Sequence, residues 1–274
     1  MSRAEPPYQG AMWCRVLAFG ALAVGCGGPA RSAAEPAPGQ RSLSVLTYNV
    51  NFGLAGDPAG IAAIREAKAD LVLLQETTPD WQRAIEAELA GTYSTRKYLT
   101  APAAGGLAVL SRFEVLEDET IPPPERGWFA AWRLTLRTDL GVVQCLNVHL
   151  RPQISDSGSV VSGVFTTGKV RRAEIDKYFA HLDPGLPTLI AGDFNEGQGG
   201  SAIAFLEQRG FKSALGEFSS DTDTWRWNTS LGTVRTELDH IVHDRRLEPL
   251  SVRVIARGRS DHLPVVGRFV LAPG

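Results

Sequence analysis

Apolar residues recur along this chain at two spacings, separated by short polar or glycine- and proline-rich boundaries. Leu43-Ser-Val-Leu-Thr-Tyr-Asn49 alternates with the period of a strand and delivers Asn49 at its end, with Asn51 just beyond. Asp57-Pro58 then caps a helix whose apolar positions Ile61, Ile64 and Ala67 recur at helical spacing. Leu71 to Leu74 is an unbroken apolar run, which predicts a strand buried on both faces, and Glu76 follows it. Thr78-Pro79 opens a second helix with Trp81, Ile85 and Leu89 on its core face and Gly91 as its stop.

From Thr92 to Leu150 the pattern turns to strands over Tyr93–Leu99, Leu107–Ser111, Val115–Ile121, Phe129–Arg137 and Val142–His149, which predicts one meander. Arg151 to Gly168 is long, rich in serine and glycine, and carries Val160, Val161, Val164 and Phe165; leaving directly from His149, it is expected to rim a cleft. A helix is predicted from Thr167 or Gly168 to Leu182, with Val170, Ile175, Phe179 and Leu182 inward. The stretch Pro187-Thr-Leu-Ile-Ala-Gly-Asp-Phe-Asn195 is a short buried strand that ends in a glycine, a carboxylate and a carboxamide. Ser201 caps a further helix to Arg209, and strands follow over Trp225–Val242 (two, around Asn228–Gly232), Leu247–Ile255 and Leu263–Leu271. Strands, helices and strands in two similar halves suit an α+β fold with two mainly antiparallel sheets face to face and helices outside.

Composition changes this picture at the N-terminus. The chain has 274 residues, 43% apolar and 21% charged, enough for a large single core. Residues 12–26 form an apolar run behind Arg15, too short to span a bilayer, and read as a signal peptide. Ala23-Val-Gly-Cys26 resembles a bacterial lipobox, with Cys26 as the lipidated mature N-terminus, although alanine departs from its preferred first residue. Plain secretion and a cytosolic chain are the alternatives. Residues 27–41, rich in Pro, Ala and Gly, read as a disordered tether, and 42–274 as one domain. Of three cysteines, Cys145 lies in an apolar strand pattern and is expected to be a buried, unpaired thiol. A formal net charge of −2 excludes a broad basic nucleic-acid footprint, though not a nuclease that works through a bound cation.

The candidate chemistry lies at the ends of the apolar runs. Five stretches place ligand-type residues there: Thr47–Asn51, Leu71–Glu76, Cys145–His149, Gly192–Asn195 and Ser260–Pro264. With Glu237-Leu-Asp-His240, these stretches resemble, in type and in chain order, the endonuclease/exonuclease/phosphatase family of Mg²⁺-dependent phosphoesterases, from about Ser42 to Leu271. The resemblance implies a four-layer α/β/β/α sandwich and, at matching positions, Glu76, Asn49 and Asp261 as ligands for Mg²⁺, with Mn²⁺ as an alternative. It implies His262 as general base or phosphate contact, oriented by Asp239. Asp193 would orient or activate the attacking water, Asn195 hold a phosphate oxygen, and His149 stand near the leaving group as donor or acid. The implied activity is phosphodiester hydrolysis by a monomer that meets a membrane only through a lipid anchor. A nuclease is the simplest form; sphingomyelinase-like or phosphoinositide phosphatase activity is the alternative, and a binding module without turnover the rival of another class. His181, His240 and His243 have no such match and are expected to be structural or surface residues.

Overall fold

The computed structural model describes residues 30–154, 166–230 and 232–273. Cys26 and most of the expected rim loop, with Val160, Val161, Val164 and Phe165, lie outside these residues. Fourteen strands and five α-helices follow in chain order: β1 (Leu43–Asn49), α1 (Pro58–Ala67), β2 (Leu71–Gln75), α2 (Pro79–Leu89), β3 (Thr95–Leu99), β4 (Leu107–Ser111), β5 (Glu114–Ile121), β6 (Ala131–Thr138) and β7 (Gly141–His149). Then come α3 (Gly168–Phe179), β8 (Thr188–Asp193), α4 (Ser201–Glu207), β9 (Lys212–Ser213), α5 (Leu215–Phe218), β10 (Trp225–Thr229), β11 (Gly232–Thr236), β12 (Asp239–His243), β13 (Leu247–Val254) and β14 (Val265–Leu271).

Two six-stranded sheets, ordered β13-β14-β1-β2-β4-β3 and β5-β6-β7-β8-β12-β9, pack face to face, and β10-β11 forms a separate ribbon. Leu43, Val45, Leu71 and Leu73 of the first sheet meet Leu134, Cys145, Leu189 and Ile241 of the second in the central core. The outer face of the first sheet packs against Ile61 and Ile64 of α1 and Trp81, Ile85 and Leu89 of α2. That of the second packs against Ile175 and Tyr178 of α3 and Ile203 and Leu206 of α4. The result is the expected four-layer sandwich, with Cys145 buried and free.

Within each mainly antiparallel sheet one pair is parallel, β1 with β2 and β7 with β8. A parallel pair puts both strand ends on one edge, and its crossover needs a helix, supplied by α1 in one half and α3 in the other. That edge carries the candidate site.

Several expectations change. The meander covers only β5 to β7, because β4 pairs with β2 in the other sheet and β3 with β4; hydrophobic alternation marks strands but not which sheet they join. The two strands predicted over Trp225–Val242 are three, since β10 and β11 form their own ribbon and β12 pairs with β8. Helix α3 stops at Phe179; Phe179 and Leu182 pack partly buried against the core as expected, and Tyr178, not singled out in the sequence, is fully buried beside them. Ser201 is the first residue of α4, and the cap is supplied from outside the helix by Glu196, whose Oε1 accepts from the Ala202 and Ile203 amides. Residues 30–41 do not hang free: Ala34 N donates to Leu250 O on the edge strand β13, and Arg31 pairs with Glu217 and Glu248. Ion pairing and edge hydrogen bonds hold a segment whose composition alone offers no core.

Candidate active site

Alternation along the inward face of each strand sets up layers between the sheets. Apolar positions such as Val45, Leu73, Cys145 and Ala191 lie deepest. Above them Thr47, Gln75 and Asn147 form a buried amide layer, in which Gln75 Nε2 donates to Asn147 Oδ1 at 2.7 Å and to Thr47 Oγ1 at 3.2 Å. One residue pair further along, Asn49, His149 and Asp193 crown the layers, and β12 brings Asp239 opposite Asp193. The amide layer satisfies its own polar groups and spaces the sheets beneath the charged crown.

Two backbone features are required for this crown. Gly192 has φ 152°, and a Cβ there would meet Val148 O at 1.9 Å, so only glycine lets β8 lie against β7 at this point. Glu76 has φ 61°. Strict alternation after the inward Gln75 would turn Glu76 outward; the left-handed turn brings it back to accept from Asn49 Nδ2 at 3.0 Å and from Phe52 N at 3.2 Å. Such a conformation costs a non-glycine residue about 1 kcal/mol or more and persists where the surroundings enforce it.

The expected residues come together from both sheets. Asn49 Nδ2 bridges Glu76 Oε1 and Asp193 Oδ2, the latter at 3.1 Å, while its Oδ1 accepts from Asn51 N. Its amide therefore presents donors to the carboxylates, whereas the resemblance implied a ligand oxygen. His262 Nδ1 donates to Asp239 Oδ2 at 2.9 Å, and its Nε2 stands 3.6 Å from Asp193 Oδ2. Burial pulls the imidazolium down, but Asp239 and Asp193 outweigh it and push His262 up to about 10. The charges of Asp239 and Asp193 thus favour the protonated form of His262 in the protein alone. His149 is the reverse case. Burial lowers it, Nδ1 donates to Ala104 O at 3.2 Å, and Nε2 stands 3.5 Å from Asp193 Oδ2 and 4.0 Å from Glu76 Oε1. Phe129, which no sequence signal marked, stacks on its ring at 4.2 Å.

Asp261 lies at the flank, with Oδ1 accepting from Asn51 and Oδ2 from Trp225 Nε1 at 2.9 Å. Asn195 donates from its backbone to Asp193 Oδ1 and from Nδ2 to Leu150 O, so its amide braces the ends of β7 and β8. His240 and His243 are buried against Glu196 O and Glu217, and His181 is exposed beside Glu119.

The donor set fits a hard divalent cation. Glu76, Asp193, Asp239 and Asp261 converge, and among the described residues no lysine or arginine hydrogen-bonds or ion-pairs with any of them. Burial raises Glu76 and Asp193, the mark of carboxylates short of positive charge. Asp239 Oδ1 is buried without a hydrogen-bond partner. Ligand atoms of Asp193, Asp239 and His262 lie within 4.8 Å of one another, a tighter group than the expected Glu76, Asn49 and Asp261.

Behind the crown, a buried brace joins the two halves of the second sheet. Arg171 Nε donates to Glu196 Oε2 at 2.8 Å, and Arg171 Nη1 to Arg151 O, while Arg151 N donates to Glu174 Oε2 at 2.8 Å. Burial lifts Glu174 from 4.5 to about 7. The folded state therefore keeps this proton longer than the unfolded chain does, and stability must fall as pH rises through that window. Glu174→Gln is expected to remove this residue's share of the slope, up to about 3 kcal/mol. Urea unfolding at pH 4.5 and 8 checks this, and an unaltered slope in the variant would exclude Glu174 as the source.

Comparison with known proteins agrees with this geometry. The profile described as "Endonuclease/Exonuclease/phosphatase family" matches residues 46–262, most of the chain. The chain belongs to that family, whose members are hydrolases acting on phosphoester bonds. Among solved structures, a functionally unknown conserved protein from Enterococcus faecalis V583 superposes with a TM-score of 0.65 at 17% identity, over 84% of this chain and 100% of the other. An endonuclease/exonuclease/phosphatase from Beutenbergia cavernae DSM 12333 gives 0.62 at 19% identity, over 85% and 72%. Truncated TDP2 from Caenorhabditis elegans gives 0.63 at 17%, over 84% and 98%. At these identities the likeness is one of fold. No match was found among curated proteins.

Proposed function

We propose that the protein is an exported, Mg²⁺- or Mn²⁺-dependent phosphodiesterase that hydrolyses its substrate by in-line attack of water, most simply as a nuclease. One observation carries this: four converging carboxylates face a single imidazolium, a balance that suits a divalent cation and a phosphate. When bound, such an ion supplies Lewis-acid stabilisation of the charge that builds on the phosphoryl oxygens. The side chains divide the remaining work. His262, protonated and held by Asp239, directs Nε2–H at a phosphoryl oxygen. Asp193, raised by burial, and neutral His149 offer acceptors to the attacking water. Asn49 keeps Glu76 and Asp193 in place across the two sheets.

The deciding experiment compares hydrolysis of plasmid DNA, sphingomyelin and phosphoinositide with Mg²⁺ and with EDTA. Mg²⁺-dependent cleavage of DNA alone supports the nuclease. A lipid headgroup is the second substrate to test because the apolar run ending in Cys26 suits a membrane anchor. For that anchor, Cys26→Ser is expected to move the protein from the membrane to the soluble fraction. A wild-type protein that stays soluble and keeps Met1 or Met12 by mass spectrometry would exclude export.

A further inference from the structure

Among the described residues, three large aromatic side chains stand well exposed, Phe52, Trp128 and Trp227, each 46% exposed, and every one of them borders the candidate site. Phe52 donates its backbone N–H to Glu76 Oε2. Trp128 packs edge-on against Phe129 at 6.1 Å, and Phe129 stacks on His149. Trp227 lies 6.4 Å from Trp225, whose indole N–H is given to Asp261. The rings thus lead outward from three different site groups, on three different segments of the chain. Isolated exposed aromatics are ordinary on a protein surface, but three of them each linked to a group of one site are not.

Cations accompany the rings. The Arg151 guanidinium stacks over Trp128 at 3.5 Å. On the ribbon, Trp227 pairs across the strands with Val234, so both share one face, and Arg226 pairs with Arg235 on the other. On that other face Arg226 Nη2 donates to Gly258 O at 2.9 Å and Arg235 interacts electrostatically with Asp223, so the ribbon offers its aromatic face to a ligand. An exposed aromatic face matches the flat bases of a nucleic-acid strand. A duplex is the poorer match, because it hides its base faces and is held by many phosphate contacts, while this chain has a net charge of −2.

Resting on the hydrolytic reaction proposed above, we infer that the substrate is unpaired nucleic acid, with bases flanking the scissile phosphate stacked on Trp227, Phe52 and Trp128. Each such stack is sequence-tolerant and strengthens binding substantially. A lipid surface would call for apolar side chains on one protruding tip; these rings instead lie on three segments of the chain, each linked to a different site group.

The test measures binding, in EDTA, of a labelled oligothymidylate and of an abasic strand of equal length by fluorescence anisotropy. The wild type is expected to bind oligothymidylate at least about tenfold more tightly, Trp227→Ala to lose about tenfold, and Trp227→Phe to recover most of it. Leu271→Ala, equally exposed but at the far end of β14, should change nothing. With Mg²⁺, Trp227→Ala should raise KM for the single strand about tenfold with little effect on kcat. Equal binding of the two strands, or an unaffected Trp227→Ala, overturns the inference. So does Trp227-dependent binding to sphingomyelin vesicles without binding to the oligonucleotide. If the strands bind through Trp227 but no phosphodiester is hydrolysed, the reaction is wrong and the stacking surface stands.

Discussion

His262→Ala is expected to lower kcat by about 10² or more, with KM little changed. The imidazolium already stands oriented by Asp239, with Nε2 3.6 Å from Asp193, so its contribution falls on charge that develops during attack. Asp239→Asn should cost less, because the imidazole remains and loses only its charged partner. The double variant should be little worse than His262→Ala, since Asp239 acts through the histidine. Losses that multiply would instead give Asp239 an independent part, for which its unpartnered Oδ1 is the candidate atom. Thermal unfolding with Mg²⁺ present separates loss of function from loss of fold: both single variants should still unfold cooperatively.

The second large effect concerns the cation. Excess EDTA should abolish activity, and Mg²⁺ should raise the Tm of the wild type, because an ion that binds only the folded state stabilises it by mass action. Glu76→Gln should raise the Mg²⁺ concentration for half-maximal activity by about tenfold or more and shrink that Tm increase. In EDTA the sign reverses. Burial holds the Glu76 carboxyl above its ordinary range, so ionisation is unfavourable in the empty crown and the neutral amide should unfold at a higher temperature than the wild type. Opposite shifts with and without Mg²⁺ are specific to a buried ligand carboxylate. Full activity in excess EDTA, or a Glu76→Gln protein indifferent to Mg²⁺ in both assays, would remove the cation from the mechanism.

Much of this was legible along the chain because a strand repeats every second residue. Alternation in Leu43–Asn49 and the continuous runs before Glu76 and Asp193 marked buried strands, and the polar residue closing each run was placed at an edge by the same count. Asp57 and Thr78 were readable as caps because their side chains satisfy amides two or three residues away. Phe129 and Trp225 carried no such mark. Their contacts with His149 and Asp261 join residues 20 and 36 positions apart, with Phe129 and Asp261 in loops outside the strands, and the intervening sequence does not encode which ring will arrive.

The sequence by itself determined the strands, the two helical crossovers and the identity of the polar residues at the strand ends, since these follow from local spacing and backbone preference. Only the tertiary structure decided what those residues face. Sheet order split the predicted meander in two, the left-handed turn at Glu76 reversed its side chain, and the approach of two sheets set Asn49 between Glu76 and Asp193. Protonation was decided there as well. His149 and His262 are the same residue type at similar burial, yet burial prevails at the first and lowers its pKa, while Asp239 and Asp193 outweigh burial at the second and raise it. Electrostatic free energy depends on distance through space, which a linear pattern does not contain.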